Sequence, residues 1–230
     1  MNLFLQQQEQ EAISRIQRFA RLAETMQFDV CLGFSGGKDS QVVYDLCKRS
    51  GIPFTAYFNH AFESAVTLRF ISEHYPDVVW RRDYRYGFIS NIRKHAILPS
   101  VQQSYCCDNY KHNPHYVDKC SIIGVRREES NARRSRTTIM VKNKSTMKKN
   151  KDLLNDYFKE NCQSVGSKSV IQLMPIIDWR SADVWQYIRE HGLPVNPEYT
   201  DKVRRVGCIV CPKANFNSNY YNIRCKLLSS

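Results

Sequence analysis

The feature that most constrains the fold is a glycine-containing segment, residues 35–40, which lies between an apolar run and an amphipathic one. The apolar run, residues 29–34, is short and nearly continuous, which is typical of a parallel strand buried on both faces. Residues 40–49 carry apolar side chains at helical spacing and end before Gly51 and Pro53. A strand, a glycine loop and a helix in this order favour phosphate binding, because backbone N–H groups are presented at the helix N-terminus.

The same alternation of strand and helix continues along the chain. We predict further strands at 54–58, 78–82, 121–125 and 170–177, and helices at 62–74 and 181–191, the last with Ser181 as its N-cap. This pattern predicts an α/β fold, with a doubly wound, mostly parallel sheet and helices on both faces. Ligands of such sheets bind at the carboxyl ends of the strands.

The chain divides into three predicted regions. Residues 1–27 form an amphipathic helix packed on the domain, residues 28–214 form the domain, and residues 215–230 form a C-terminal tail. Within the domain, residues 136–151 are basic and show no apolar period, so we expect a mobile surface loop. The net charge of +12 favours anionic partners, and this loop either contacts nucleic-acid phosphates or is simply solvated.

The sequence also indicates a cellular setting. No stretch approaches the roughly 20 apolar residues that a membrane span needs, and the N-terminus turns polar before the core of a signal peptide could form. We therefore expect a cytoplasmic protein without a membrane partner. The nine cysteines of such a chain are metal ligands, reactive thiols or buried thiols rather than a disulfide framework.

Each residue type in the glycine loop suits phosphate chemistry. The loop consists of Ser35, Gly36, Gly37, Lys38, Asp39 and Ser40. The glycines admit phosphate oxygens, the serines can donate hydrogen bonds, and the lysine can neutralise the charge that grows as a phosphoanhydride breaks. The aspartate can tie the loop together or hold Mg²⁺. A Walker A loop is excluded, because Leu32 and Asp39 occupy positions where it needs Gly and Ser or Thr.

Four cysteines form a candidate metal centre. Cys106 and Cys107 are adjacent, and Cys208 and Cys211 form a Cys-x-x-Cys motif whose spacing lets two thiolates bind one centre. Four thiolates satisfy an iron–sulfur cluster and tetrahedral zinc equally well. Unmetallated or redox-active thiols are a third interpretation.

Two arginines are candidates for anion binding. Arg126 and Arg133 follow the predicted strand 121–125. A guanidinium group at a strand end can reach the ligand crevice and bind phosphate or sulfate with two hydrogen bonds. The competing interpretation is a solvated basic loop.

Four segments, taken in order along the chain, resemble a known family. They are the loop 35–40; residues 106–114, Cys-Cys-Asp-Asn-Tyr-Lys-His-Asn-Pro; residues 124–133, Gly-Val-Arg-Arg-Glu-Glu-Ser-Asn-Ala-Arg; and residues 175–179 with 205–212. The loop resembles the PP-loop of the Rossmann-like adenine nucleotide α-hydrolase superfamily, whose members commonly split ATP between the α and β phosphates. The whole set resembles the phosphoadenosine phosphosulfate (PAPS) reductase family, from about residue 28 to residue 214.

The resemblance implies a nucleotide site and a metal site. It implies binding of ATP with Mg²⁺ by the loop, Arg126 and Arg133, with Lys38, Asp39 and Arg126 as the catalytic residues. In the iron–sulfur members of the family, adenylylsulfate reductases and DNA phosphorothioation proteins, a matching cysteine set holds a [4Fe-4S] cluster. The corresponding ligands here are Cys106, Cys107, Cys208 and Cys211, with zinc as the alternative.

Two departures from the reductases direct the functional hypothesis. Reductases carry their nucleophilic cysteine in a Glu-Cys-Gly-Leu-His tail, whereas Cys225 has a different context, and their PP-loop is commonly incomplete, whereas this one is complete. We therefore expect an ATP pyrophosphatase that adenylates an acceptor, either nucleic acid or a small substrate of sulfur metabolism, for sulfur transfer. The alternatives are a thiol-dependent sulfonucleotide reductase and a nucleic-acid-binding subunit with little catalysis of its own. Each of these three functions is compatible with a partner protein or with a homodimer.

Overall fold

A computed structural model of the chain describes residues 3–81, 88–111, 120–141, 163–164, 171–200, 203–209 and 211. Its strands are β1 (Val30–Phe34), β2 (Thr55–Asn59), β3 (Val79–Arg81), β4 (Cys120–Ile123), β5 (Ile139–Val141), β6 (Gln163–Ser164) and β7 (Ile171–Leu173). These described strands form one sheet in the spatial order β3-β2-β1-β4-β7-β5-β6, in which every neighbouring pair is parallel except β5 and β7. The predicted α/β fold with a mostly parallel sheet is confirmed.

The order of the strands reverses beside β1, the strand that precedes the glycine loop. The chain proceeds outward from β1 to β3 and then returns to place β4 on the other side of β1, so that Cys31 pairs with Thr55 on one side and Ser121 on the other. At such a reversal, the connections diverge from the carboxyl ends of the two strands and open a crevice. The glycine loop and the segment after β4 therefore border the same crevice.

The described helices are α1 (Leu3–Thr25), α2 (Lys38–Arg49), α3 (Ala65–His74), α4 (Phe88–His95) and α5 (Ser181–Glu190). Helix α2 lies against both α1 and α5. The buried side of α1 carries Ile16, Phe19 and Leu22, which belong to the same core as Leu32 of β1. Burying side chains of this size contributes about 1.5–3 kcal/mol each, so α1 is part of the folded unit. Among the described residues, no helix combines the length and the apolar character needed to cross a membrane.

Buried charges also attach α1 to its neighbours. Glu9 is 4% exposed, forms an ion pair with Arg49 of α2 and lies within hydrogen-bond distance, 3.0 Å, of Nε2 of His191, the residue after α5. Arg15 lies 3.1 Å from the carboxylate of Asp178, in the turn that follows β7. Arg49 and Asp178 are 37% and 41% exposed, so each pair is only partly buried and contributes less than a fully buried pair would. These contacts help to determine where α1 lies on the domain.

The prediction of a surface loop over residues 136–151 is wrong for residues 139–141. Ile139, Met140 and Val141 are buried and form β5, whose antiparallel pairing places Ile139 opposite Leu173. A run of only three apolar residues has no period of its own, and it becomes a strand because β7 and β6 pair with it on either side. The lysine-rich part, residues 142–151, lies outside the described residues, and with it the predicted contact with nucleic acid.

Two predicted element boundaries are also wrong. The strand predicted over 170–177 ends at Leu173, because a turn begins at Pro175. The N-cap of α5 is Arg180 rather than Ser181. Asp183 accepts from the Arg180 amide at 2.7 Å, which satisfies one of the unpaired donors at the helix start.

Candidate functional site

The glycine loop leaves β1 at Ser35 and enters α2 at Lys38, with Gly37 as the N-cap. Gly36 has a φ of +70°, and a Cβ there would lie 2.9 Å from Cδ1 of Ile71 in α3. The left-handed backbone favours glycine at this position, and a Cβ would in addition require the end of the Ile71 side chain to shift. The N-terminal amides of α2 are thereby presented beside the carboxyl end of β1, as phosphate binding requires.

The two serines of the loop bind the loop itself. Ser40 Oγ donates to the carbonyl of Gly37 at 2.8 Å and accepts from the amide of Ser35 at 3.2 Å. Ser35 Oγ accepts from the Gly37 amide at 3.4 Å. From α2, Gln41 Nε2 donates to the carbonyl of Gly36 at 3.0 Å. These hydrogen bonds hold the loop in its turn, and the predicted contact of the serines with phosphate stays a prediction.

Asp39 joins two buried cations at the start of α2. Its Oδ2 lies 2.7 Å from Lys38 Nζ, and its Oδ1 lies 2.5 Å from Arg126 Nε. Nη1 of Arg126 also lies 2.7 Å from the Glu128 carboxylate. Burial lowers the pKa of Arg126, but the neighbouring carboxylates of Asp39 and Glu128 raise it by more, so that the net pKa lies above its ordinary value. The crevice therefore contains two cations, each held by carboxylates that an incoming anion can replace.

Gly124, just after β4, explains how Arg126 reaches the loop. A Cβ on Gly124 would lie 2.7 Å from the backbone carbonyl carbon of Asp39 and 2.9 Å from the backbone nitrogen of Ser40. Only glycine permits two backbones to approach this closely. Arg126 follows two residues later and is thereby brought to the carboxylate of Asp39. Gly124 belongs to the arginine segment of the sequence, but nothing in its local pattern indicates that its contact is α2.

Arg133 lies near the glycine loop and binds Glu129. Its guanidinium forms an ion pair with Glu129, whose carboxylate also binds Arg205. The same carboxylate accepts from the backbone amide of Arg126 at 2.9 Å. The Glu129 carboxylate thus links Arg133 to Arg126, and both arginines belong to the same charged cluster. Its predicted contact with a nucleotide stays a prediction.

The fold brings together the two segments that carry the predicted metal ligands. Cys106 and Cys107 lie at the start of a π-helical turn (Cys107–Lys111), and the Cys211 amide donates to the Cys208 carbonyl at 3.2 Å. Burial raises the pKa of Cys106, hydrogen bonds from Cys107 lower it, and the thiols of Cys208 and Cys211 raise it further, leaving it above its ordinary value. All four thiols are therefore close enough to influence one another electrostatically.

The cysteine set fits a metal centre by composition. Four thiols from two segments are what both [4Fe-4S] clusters and tetrahedral zinc use. Among the residues described, however, no three His, Cys, Asp or Glu side chains converge closely enough to hold an ion. The ligand role of the four cysteines stays a prediction.

An ion pair between the half-buried Lys111 and a buried carboxylate lies beside the cysteines. Lys111 Nζ lies 3.1 Å from Oε1 of Glu63, whose side chain is 2% exposed, and Cys208 Sγ lies 3.8 Å from the same oxygen. Burial lowers the pKa of Lys111, but Cys208 and Glu63 raise it by more. The amide of Ile209 donates to the carbonyl of Phe62 at 2.8 Å. Burial raises the pKa of Cys208, and the Lys111 cation offsets this only in part, so that the net pKa lies above its ordinary value. The loop before α3 contacts both cysteine segments.

Two residues after α5 contact the glycine loop, and the sequence patterns did not identify either. Asn196 is completely buried and donates to the carbonyl of Gly36 at 3.1 Å and to Thr67 Oγ1 at 3.0 Å. The hydroxyl of Tyr199 accepts from the amide of Lys38 at 2.9 Å. The local signal, Pro-Val-Asn-Pro at 194–197, indicates a turn but does not indicate what the turn contacts.

Comparison with protein families identifies the domain. The family model for the phosphoadenosine phosphosulfate reductase domain matches residues 29–214. The chain belongs to this family. The match includes the glycine loop, the arginine segment and all four candidate cysteine ligands.

The proteins to which the chain is similar are distant from it in sequence. The chain is 26% identical to an adenosine 5'-phosphosulfate reductase of Lysinibacillus sphaericus, and the 174 aligned residues cover 68% of this chain and 60% of that protein. It is 25% identical to an uncharacterized protein of Methanocaldococcus jannaschii, and the 225 aligned residues cover 94% of this chain and 49% of that protein. The chain therefore spans about half to three fifths of the length of these relatives.

A comparison with solved structures finds an NH3-dependent NAD synthetase of Campylobacter jejuni. The two chains share 16% sequence identity with a TM-score of 0.40, over 84% of this chain and 75% of the synthetase.

Proposed function

We propose that this chain is an ATP pyrophosphatase of the PAPS reductase family, which adenylates an acceptor so that sulfur can be transferred to it. An oxygen of the acceptor attacks the α phosphorus of ATP. The bond from that phosphorus to the α–β bridging oxygen breaks, and pyrophosphate leaves with the bonding electrons. A sulfur nucleophile then displaces AMP from the adenylated acceptor.

The cluster of Lys38, Asp39 and Arg126 at the start of α2 carries this proposal. Breaking the α–β bond places negative charge on the leaving pyrophosphate, and fixed cations beside it stabilise the transition state. Lys38 and Arg126 are 5% and 4% exposed, so little water screens them. We assign Lys38 to the leaving pyrophosphate and Arg126 to orienting the nucleotide or the acceptor. Phosphate oxygens would displace the Asp39 carboxylate from both cations. Asp39 is then available to bind Mg²⁺.

The same proposal includes a metal centre at Cys106, Cys107, Cys208 and Cys211. We propose a [4Fe-4S] cluster, with zinc as the alternative. An iron–sulfur cluster supplies redox chemistry, whereas zinc supplies none. The adjacent Lys111 supports an anionic centre, because a nearby cation compensates part of the charge of several thiolates. Anaerobic purification followed by a visible spectrum and by iron, sulfide and zinc analysis distinguishes the two metals.

The activity is tested by measuring pyrophosphate release from ATP by the anaerobically purified full chain, with nucleic acid or small sulfur oxyanions as acceptors. We expect Lys38→Ala to lower the rate by about 10²–10³-fold, as for removal of one group that stabilises transition-state charge. Lys48→Ala is the matched control, because Lys48 lies on the same helix in an exposed ion pair with Asp77 at 2.9 Å. Equal rates for wild type and Lys38→Ala would contradict the proposed role of the loop.

A second candidate is a thiol-dependent sulfonucleotide reductase. The likeness to the Lysinibacillus sphaericus adenosine 5'-phosphosulfate reductase favours it. Its candidate nucleophile, Cys225, lies outside the described residues. The test is whether the protein reduces adenylyl sulfate with electrons from a thiol donor and whether Cys225→Ser abolishes this activity. If both are observed, the reductase replaces the pyrophosphatase as the proposed function.

A further inference from the structure

A cavity of about 530 Å³ lies between the start of α5 and the segment that follows this helix. Its volume falls within the range of about 300–1,000 Å³ that is usual for sites of small ligands. The lining combines aromatic rings and aliphatic side chains with hydroxyl groups and a guanidinium, among them those of Trp185, Tyr199, Ser181, Thr200 and Arg204. The cavity therefore suits a ligand that has both an apolar surface and polar or anionic groups.

Two contacts connect the cavity to the cations of the glycine loop. The hydroxyl of Tyr199 accepts from the amide of Lys38 at 2.9 Å, so this side chain has one end on the loop and also lines the cavity. At the start of α5, Glu128 Oε2 accepts from the amide of Ser181 at 2.6 Å and lies 2.7 Å from Arg126 Nη1. A ligand in the cavity is therefore next to the phosphate-binding residues.

The two aromatic rings offer a surface to a flat ligand. Trp185 and Tyr199 are half-buried and meet edge to face, with centroids 5.1 Å apart and planes at 83°. In this arrangement one ring presents only its edge to the other, so its partner covers neither of its faces. A nucleobase stacks on such a face whatever its sequence identity, because every base has a π face.

Exposed arginines continue from the cavity along the chain. Arg204 lines the cavity and is exposed, and the next residue, Arg205, is 64% exposed in its ion pair with Glu129. Glu129 also binds Arg133. Several guanidinium groups beside an aromatic cavity favour a ligand with a ring and several phosphates, since each neutralised phosphate releases counterions. A single-stranded nucleic acid has both features, whereas a small sulfur oxyanion has no ring.

From this geometry we propose that the cavity beside Trp185 and Tyr199 binds a nucleobase of a single-stranded nucleic acid. Its phosphates lie on Arg204 and Arg205. The inference rests on the proposed function, because it makes the nucleic acid the acceptor that is adenylated beside Lys38. The binding itself does not depend on that reaction. A free nucleotide carries the same ring and phosphate, so the test compares the two sources.

Fluorescence anisotropy of labelled single strands, oligothymidylate and oligouridylate, measures binding to the full chain purified anaerobically. We expect Trp185→Leu, which keeps an apolar side chain but loses the flat ring, to weaken binding about tenfold, as for the loss of one stacked base. Trp185→Phe keeps an aromatic face and should retain most of the affinity. Arg204→Gln should lower the slope of log affinity against log salt by about one. Lys48→Gln, in the last turn of α2, is the control and should change neither quantity.

Four results would overturn the base site. They are no binding of either strand, wild-type affinity in Trp185→Leu, an equal loss in Trp185→Leu and Trp185→Phe, and an unchanged salt slope in Arg204→Gln. A further comparison needs only the wild type: inorganic polyphosphate carries charge without bases and should bind more weakly than a strand with as many phosphates. Equal affinity would overturn the base site even if the variants fold poorly.

The remaining outcomes separate the ligand and the reaction. Thymidine and uridine monophosphates that compete as well as the strands would overturn nucleic acid as the ligand. Pyrophosphate release with a sulfur oxyanion, together with no strand binding, would overturn this inference and leave the proposed function standing. Strand binding that depends on Trp185, together with no pyrophosphate release on any acceptor, would support the site and overturn the proposed function.

Discussion

Replacing Asp39 with asparagine removes a carboxylate that two buried cations share. Lys38 Nζ and Arg126 Nε lie 2.7 Å and 2.5 Å from its two oxygens, and the cationic side chains are only 6% and 4% exposed. Asparagine has nearly the same size and shape, so the change is electrostatic rather than steric. Water cannot replace the lost carboxylate, because neither cation is accessible enough to be hydrated.

The magnitude follows from how much of the pairing is lost. Removing one partner of a buried ion pair costs about 3–5 kcal/mol. Two circumstances reduce this value: the Asp39 side chain is 19% exposed, and Arg126 keeps the Glu128 carboxylate at 2.7 Å. We therefore expect Asp39→Asn to lower the free energy of unfolding by about 2–3 kcal/mol.

Urea unfolding at neutral pH, followed by circular dichroism, measures this loss. Saturating pyrophosphate brings negative charge to both cations and should stabilise Asp39→Asn by more than it stabilises wild type. Glu11→Gln is a control, because Glu11 is 55% exposed at 2.5 Å from Arg15, which keeps its contact with Asp178. Its effect should stay below about 1 kcal/mol. A loss below about 1 kcal/mol in Asp39→Asn, or equal stabilisation of both proteins by pyrophosphate, would refute the reasoning.

Two further predictions concern the loop and the cysteines. Gly36→Ala should weaken ATP binding at least tenfold in isothermal titration, because its Cβ would meet Ile71. Gly51→Ala is the control, because Gly51 has a similar φ of +73° and nothing lies within 4 Å of the added Cβ. If both variants bind ATP with equal affinity, crowding at Ile71 is excluded as the cause. Since burial raises the pKa of Cys106, its labelling by iodoacetamide in reduced, metal-free protein should accelerate only at a higher pH than in the unfolded chain. Coincident pH profiles for folded and unfolded protein would contradict this.

Local patterns in the sequence were sufficient for the class of fold. The alternation of short apolar runs with helical periods depends on residues only a few positions apart, and it predicted the strand before the loop and the helix after it. Gly36 and Gly37 were likewise recognisable, because a turn between strand and helix is a local event. The family could be named for the same reason, since its motifs are short and contiguous.

Long-range contacts decided what these patterns could not. Residues 139–141 form a strand because β7 and β6 pair with them on either side, and the role of Gly124 is seen only in its approach to Asp39. The contact between Lys38 and Tyr199 joins residues 161 positions apart. No periodicity or motif spans such a separation, because the energy of these contacts arises only when the sheet brings the segments together.

The candidate site shows the same division. The residue types of the loop, the arginine segment and the cysteine pairs already indicated phosphate and metal chemistry, because the chemistry of a side chain belongs to its identity. Which groups neighbour one another depends on tertiary structure: Asp39 between Lys38 and Arg126, and Glu63 beside Lys111 and Cys208. Burial and the close approach of opposite charges arise only in the folded chain, and they determine how these side chains can act.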